Sequence, residues 1–201
     1  MSQSPGFLKS IGFYLARPLV RLVARTGIPP TIITLLGFLL AVGAAVLVGR
    51  GNFIIAGVVL LVAGLCDIID GALARYTQQT SIFGAVLDST LDRSSEVALL
   101  LGISIWYGGQ QELRWVLLAG LALMGSLLVS YIRARAEAMG LACQVGWFTR
   151  AERVLVLSLG LLLGRFPYAL VITLAIITVF SFVTVGQRLF CVWQQTRIKR
   201  S

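Results

Sequence analysis

Asp67-Ile68-Ile69-Asp70-Gly71-Ala72-Leu73-Ala74-Arg75, then eight residues, Gly84, and finally Asp88 and Asp92: this stretch decides how the rest of the chain reads. Four of the eight acidic residues lie in it, within segments otherwise apolar enough for a membrane. Carboxylates in such surroundings are costly and imply a function and a partner. Asp67 and Asp70 stand at i,i+3 and Asp88 and Asp92 at i,i+4, so on helices each pair shares a face. The short turn Thr77-Gln78-Gln79-Thr80 makes these helices antiparallel neighbours and brings the four carboxylates to one depth. Four like charges at close range cannot all stay ionised without cations among them. Oxygen ligands from facing helices suit Mg²⁺ or Mn²⁺. Gly71 lies one turn after Asp67 and Ala74 one turn after Asp70; residues this small leave room for a ligand or a helix to approach the backbone.

Working outward, the composition agrees with a membrane setting. Of 201 residues, 58% are hydrophobic and only 12% charged, and the mean hydropathy is +0.91. A soluble domain carries about 25% charged residues, so half that value places the chain among integral membrane proteins. The net charge of +9 then reads as basic residues at a cytoplasmic face near anionic lipid rather than as a nucleic-acid footprint. Cys66, Cys143 and Cys191 form no CxxC pair, and their odd number argues against a disulfide framework. There is no histidine, so acid–base chemistry falls to carboxylates, lysine, tyrosine or bound water.

The expected architecture is all-α: six transmembrane helices preceded by an N-terminal amphipathic helix, in a single membrane domain spanning 1–201. Residues 6–25 carry Arg17, Arg21 and Arg25 at four-residue intervals along one side, the pattern of an interfacial helix. Met1-Ser2-Gln3-Ser4-Pro5 lacks the basic start of a cleaved signal peptide. Gly27-Ile28-Pro29-Pro30 breaks this helix. The bundle over 31–201 has expected spans at 31–49, 53–76, 81–107, 113–138, 152–164 with a cytoplasmic extension, and 167–187 continuing toward the C-terminus, each near the roughly 20 residues a bilayer requires. Loops near 50, 110 and 165 carry only Arg50, Arg114 and Arg165. The other side collects Lys9, Arg17, Arg21, Arg25, Arg75, Arg133, Arg135, Arg150, Arg153, Arg188, Arg197, Lys199 and Arg200. The positive-inside rule therefore puts both termini and the aspartates in the cytoplasm, the location expected of a multi-pass protein of the cell (plasma) membrane.

The pattern DxxDGxxARx8GxxxDxxxD, with Asp67, Asp70, Gly71, Ala74, Arg75, Gly84, Asp88 and Asp92 all in place, resembles the signature of the CDP-alcohol phosphotransferase family. Six spans behind an interfacial helix are also that family's plan, so the likeness covers most of the chain. The resemblance implies a phospholipid-synthesising transferase that displaces CMP from CDP-diacylglycerol with the hydroxyl of a small alcohol. By position it implies that Asp67, Asp70, Asp88 and Asp92 hold two Mg²⁺ or Mn²⁺ ions and that Asp92 also acts as general base. It implies further that Gly71, Ala74 and Arg75 meet the CDP-lipid. For Arg75 the plainer reading is a snorkelling arginine ending a span. Thr34, and Thr31 where the family often has asparagine, are expected near the nucleotide. Ser81 either binds phosphate or simply caps its helix. The resemblance also implies a homodimer.

Three cytoplasmic arginines bear on the acceptor. Arg133 ends the fourth span, Arg153 begins the fifth and Arg188 lies on the sixth; together they form a basic pocket suited to a phosphorylated alcohol, with Glu137 and Glu152 holding the arginines in place. Within the family this is similar to the phosphatidylinositol phosphate synthases, whose acceptor is inositol phosphate, although Arg133 stands where lysine is expected more often. Phosphatidylglycerophosphate synthase, using glycerol 3-phosphate, is the competing reading. A divalent-cation transporter is the remote one, since Phe53–Leu65 and Val97–Trp106 are almost wholly apolar and offer no polar path through the other half of the bilayer.

Overall fold

The computed structural model describes residues 20–142, 145, 146 and 148–198, and among these every regular element is a helix. They are α1 (Pro30–Gly49), α2 (Phe53–Tyr76), α3 (Ile82–Gly109), α4 (Leu113–Ala138), α5 (Arg150–Leu162) and α6 (Ala169–Ile198). The boundaries follow local chemistry. Pro30 occupies the first position of α1, where a missing N–H costs nothing. Ser81 caps α3 by accepting a hydrogen bond from Gly84 N at 2.9 Å. At α5 the backbone N–H of Thr149 donates to Glu152 Oε2 at 2.9 Å, closing a capping box. Gly51, in the turn between α1 and α2, has φ +82°, and a Cβ there would lie 2.5 Å from the Trp106 ring; only glycine meets both demands.

Four of the described helices, α1, α2, α4 and the Ala169–Arg197 stretch of α6, are long and apolar enough to cross a membrane. The protein is a multi-pass membrane protein whose helices present Leu35, Leu36, Leu39, Ile55, Val58, Leu117, Val179 and Val183 outward, as lipid contact requires. The other two helices fall short for stated reasons. α3 carries Asp88, Asp92, Arg93 and Glu96 within its first fifteen residues. α5 has 13 residues, about 20 Å of helix against a hydrocarbon core of about 30 Å. Of the interfacial helix expected over 6–25, residues 6–19 lie outside the described residues. Residues 20–25 are helical, with Val20 buried among Ile33, Ala72 and Leu73 and with Arg21 and Arg25 exposed.

The main core reaches as far as the aspartates, since Leu60 and Leu99 also line the cavity that Asp67, Asp70 and Asp92 line. Ala44, Ala45 and Val48 of α1 pack with Leu60 of α2, Leu99, Leu100 and Ile103 of α3, Leu157 and Leu161 of α5, and Leu174 of α6. One arrangement departs from expectation. The helices that carry the aspartates are not packed backbone to backbone: α1 lies against both, α5 packs on α2, and α4 packs on α3. The turn at residues 77–81 joins α2 and α3, but it is α1 that packs against both. Cys66 is a free thiol that packs beside Ile33 and Leu73. Cys191 is disulfide-bonded, a cross-link that the cysteine count did not announce.

Candidate active site

Asp67 and Asp70 project from the last turns of α2, and Asp88 from the second turn of α3. Carboxylate oxygens of these three residues all lie within 4.8 Å of one another. Asp70 is 4% exposed, and its Oδ2, like Asp88 Oδ1, is buried with no hydrogen-bond partner. An unpaired carboxylate oxygen in such a place is expensive. Two orphaned oxygens converging from facing helices therefore fit a hard divalent cation, whose preferred ligands are carboxylates. Asp92 lies one helical turn beyond Asp88 and outside that triplet. It meets Asp67 through a shared partner: Nη1 of Arg150, the first residue of α5, is 2.7 Å from Asp92 Oδ2 and 3.0 Å from Asp67 Oδ2.

The residues expected near the nucleotide surround this cluster unevenly. Thr34 lines a small cavity with Asp67, Asp70 and Asp92, while its hydroxyl donates to the Pro30 carbonyl at 3.2 Å. Thr31, one turn earlier, is exposed. A Cβ on Gly71 would meet only the Arg75 guanidinium, at 3.7 Å, so the helix surface there is open. Ala74 is half-buried, and Arg75 is exposed in the last turn of α2. Ser81 serves as the cap of α3.

The three expected acceptor arginines do come together. A cavity of about 240 Å³ is lined by Arg133 of α4, Arg153 of α5 and Arg188 of α6, with Arg93, Arg150 and Asp92 on the side toward the carboxylates. Asp92 and Arg150 line both cavities, so the acidic cluster and the basic chamber share a wall. The arginines are held in three ways. Arg133 Nε donates to Glu137 at 2.9 Å. Arg188 donates through Nε to the Val145 carbonyl at 3.0 Å and through Nη1 to the Val129 carbonyl. Arg153 is 1% exposed and forms a forked pair with Glu96, Nε to Oε1 at 2.6 Å and Nη2 to Oε2 at 3.0 Å.

One expectation about this chamber is corrected. Glu152 does not hold an arginine; it is spent on capping α5. That task falls to Glu96, which the sequence reading passed over, as it did Arg150. Both left a signal. Glu96 continues the Asp88, Asp92 series at four-residue spacing, and Arg150 precedes Arg153 by three, so each shares a helix face with a residue already singled out.

The chain is similar to known proteins over most of its length. Residues 28–193 match the family described as CDP-alcohol phosphatidyltransferase. The chain is 37% identical over 188 residues to an archaetidylinositol phosphate synthase of Methanothermobacter thermautotrophicus, covering 90% of this chain and 94% of the relative. It is 34% identical over 200 residues to a phosphatidylinositol phosphate synthase of Mycobacterium marinum, covering 96% and 86%. The crystal structure of a Mycobacterium tuberculosis phosphatidylinositol phosphate synthase with CDP-DAG bound is similar at a TM-score of 0.80 and 34% identity, covering 88% of this chain and 92% of that one. A structure of the same enzyme in complex with manganese and citrate gives a TM-score of 0.81 at 34% identity, covering 88% of each. The chain belongs to the CDP-alcohol phosphatidyltransferase family.

Proposed function

We propose that this protein transfers the phosphatidyl group of CDP-diacylglycerol to a hydroxyl of inositol phosphate and releases CMP. The observation that carries this reading is the arginine-lined cavity opening onto Asp92. A chamber walled by Arg133, Arg153 and Arg188 suits an acceptor that carries a phosphate dianion, because guanidinium forks match phosphate oxygens. Its position then brings the acceptor hydroxyl to Asp92. The similarity to synthases named for inositol phosphate products supports the same choice.

In this reading the acceptor phosphate anchors among the arginines and one hydroxyl faces the β-phosphorus of the CDP-lipid. Asp92 accepts the hydroxyl proton as the new O–P bond forms, a contribution of about 10²–10⁴-fold. The bond to CMP breaks, and CMP leaves with its electron pair. Asp67, Asp70, Asp88 and Asp92 hold two Mg²⁺ or Mn²⁺ ions, which when bound clamp the pyrophosphate and offset the charge on departing CMP. Gly71 and Ala74 let the nucleotide approach α2, and Arg75 reaches its pyrophosphate. Thr31, Thr34 and Ser81 line its path. We place six helices across the plasma membrane of the cell, with an interfacial helix ahead of them, both termini and the site in the cytoplasm, and two copies in the working unit. The one-sided distribution of basic residues supports that orientation.

The test is CMP release by purified protein given CDP-diacylglycerol and Mg²⁺, with inositol 1-phosphate, glycerol 3-phosphate, serine and free inositol compared as acceptors. Inositol 1-phosphate is expected to give the highest kcat/KM. Preference for glycerol 3-phosphate would reassign the acceptor, and turnover with a neutral acceptor alone would remove the argument from the arginines.

A further inference from the structure

Arg150 stands between the two cavities, and no part of the reaction described above uses it. A single atom, Nη1, lies within ion-pair distance of Asp92 at 2.7 Å and Asp67 at 3.0 Å. These carboxylates come from different helices, so the guanidinium bridges α3 and α2 from the N-terminus of α5. Its Nε is buried without a hydrogen-bond partner. On the far side of the same cluster, Asp70 Oδ2 and Asp88 Oδ1 are buried and unpartnered. Arg150 therefore pairs directly with two of the four carboxylates, Asp67 and Asp92.

From this we infer that Arg150 is a built-in counter-cation: it bridges Asp67 and Asp92 while no divalent ion is bound, and once displaced it serves the acceptor cavity. The inference rests on the functional reading above. A divalent ion among these carboxylates takes the oxygens that Nη1 now contacts and repels the guanidinium at close range. Arg150 has somewhere to go, because its side chain already lines the larger cavity. It also differs from the other arginines there. Arg153 has its fork on Glu96, Arg133 its Nε on Glu137, and Arg188 two donors on carbonyls. Arg150 alone among these is held by groups that the metal itself claims. Loading the metal site thus hands a guanidinium to the acceptor phosphate. The acceptor binds well only after the metal.

The test uses the full chain in nanodiscs and two neutral replacements, Arg150→Gln and Arg150→Met, either of which carries it. Mn²⁺ affinity is read from the loss of the free-ion paramagnetic resonance signal, with no turnover involved. If Arg150 fills the gap in about nine of ten molecules, its removal tightens Mn²⁺ binding about tenfold. Calorimetry then measures inositol 1-phosphate binding with and without Mg²⁺. The wild type is expected to bind it more tightly with Mg²⁺, and the variants to lose most of that difference. Unchanged or weaker Mn²⁺ binding in both variants, or an undiminished Mg²⁺ effect on the acceptor, would overturn the inference while wild-type CMP release leaves the functional reading standing. Wild-type protein that neither binds Mn²⁺ nor releases CMP would end both.

Discussion

The forked pair between Arg153 and Glu96 has two consequences that mutation can separate. Both side chains are buried, so Arg153→Ala strands a carboxylate inside the protein, a loss of about 3–5 kcal/mol. The double substitution Arg153→Gln with Glu96→Gln removes both charges and is expected to recover most of the thermal midpoint lost by Arg153→Ala. It is not expected to recover the acceptor site: KM for inositol 1-phosphate stays raised while CDP-lipid affinity changes little. A double variant with wild-type acceptor KM would make the pair purely structural. The aspartates could be read from the sequence because their i,i+3 and i,i+4 spacings are local facts. The Arg153–Glu96 pair could not, because its partners are 57 positions apart and meet only through the way α5 lies on its neighbours. The arginine triad was legible only as a shared depth, each member ending or beginning a helix on the basic side.

At the scale of elements, the helix limits followed from apolar runs broken by Gly, Pro and polar turns. The expected spans at 31–49, 53–76 and 113–138 fall on α1, α2 and α4 within a residue at either end. The relation between α2 and α3 was less visible. A connection this short suggests two neighbours in contact, but chain connectivity does not say what packs against both. Small residues on α1 and α3 supply the answer: a Cβ on Gly102 would lie 2.5 Å from the Ala45 carbonyl oxygen, so α1 and α3 touch through their backbones. Gly102→Ala must push these helices apart, at a cost of about 1–3 kcal/mol. Gly108→Ala, near the end of the same helix, meets nothing within 4 Å and serves as the control. Thermal unfolding in detergent should show a lowered midpoint for Gly102→Ala alone; equal midpoints would mean that the α1–α3 contact yields without cost.

The whole molecule is arranged by depth. One half is closed by apolar side chains from α1, α2, α3, α5 and α6, and the other holds the carboxylates and the arginine chamber. That division favours a one-sided enzyme site over a transport path. The proposed orientation rests on where the arginines gather. A cysteine introduced at Gln79, beside the site, should resist an impermeant thiol reagent added to intact cells, whereas one at Gln110, in the turn between α3 and α4, should react. The reverse pattern would invert the protein in the membrane.

In the proposed reaction, carboxylates from two helices hold the ions that drive phosphatidyl transfer, and Asp92 takes the proton. CMP release from CDP-diacylglycerol and inositol 1-phosphate tests it most directly, measured for wild type and Asp92→Asn, each stripped with EDTA and then resupplied with Mg²⁺. The stripped wild type should release no CMP and should recover fully with Mg²⁺. Asp92→Asn should show a kcat about 10²–10⁴-fold lower at saturating Mg²⁺. Release that persists in EDTA, or an asparagine variant that turns over at the wild-type rate, would contradict it.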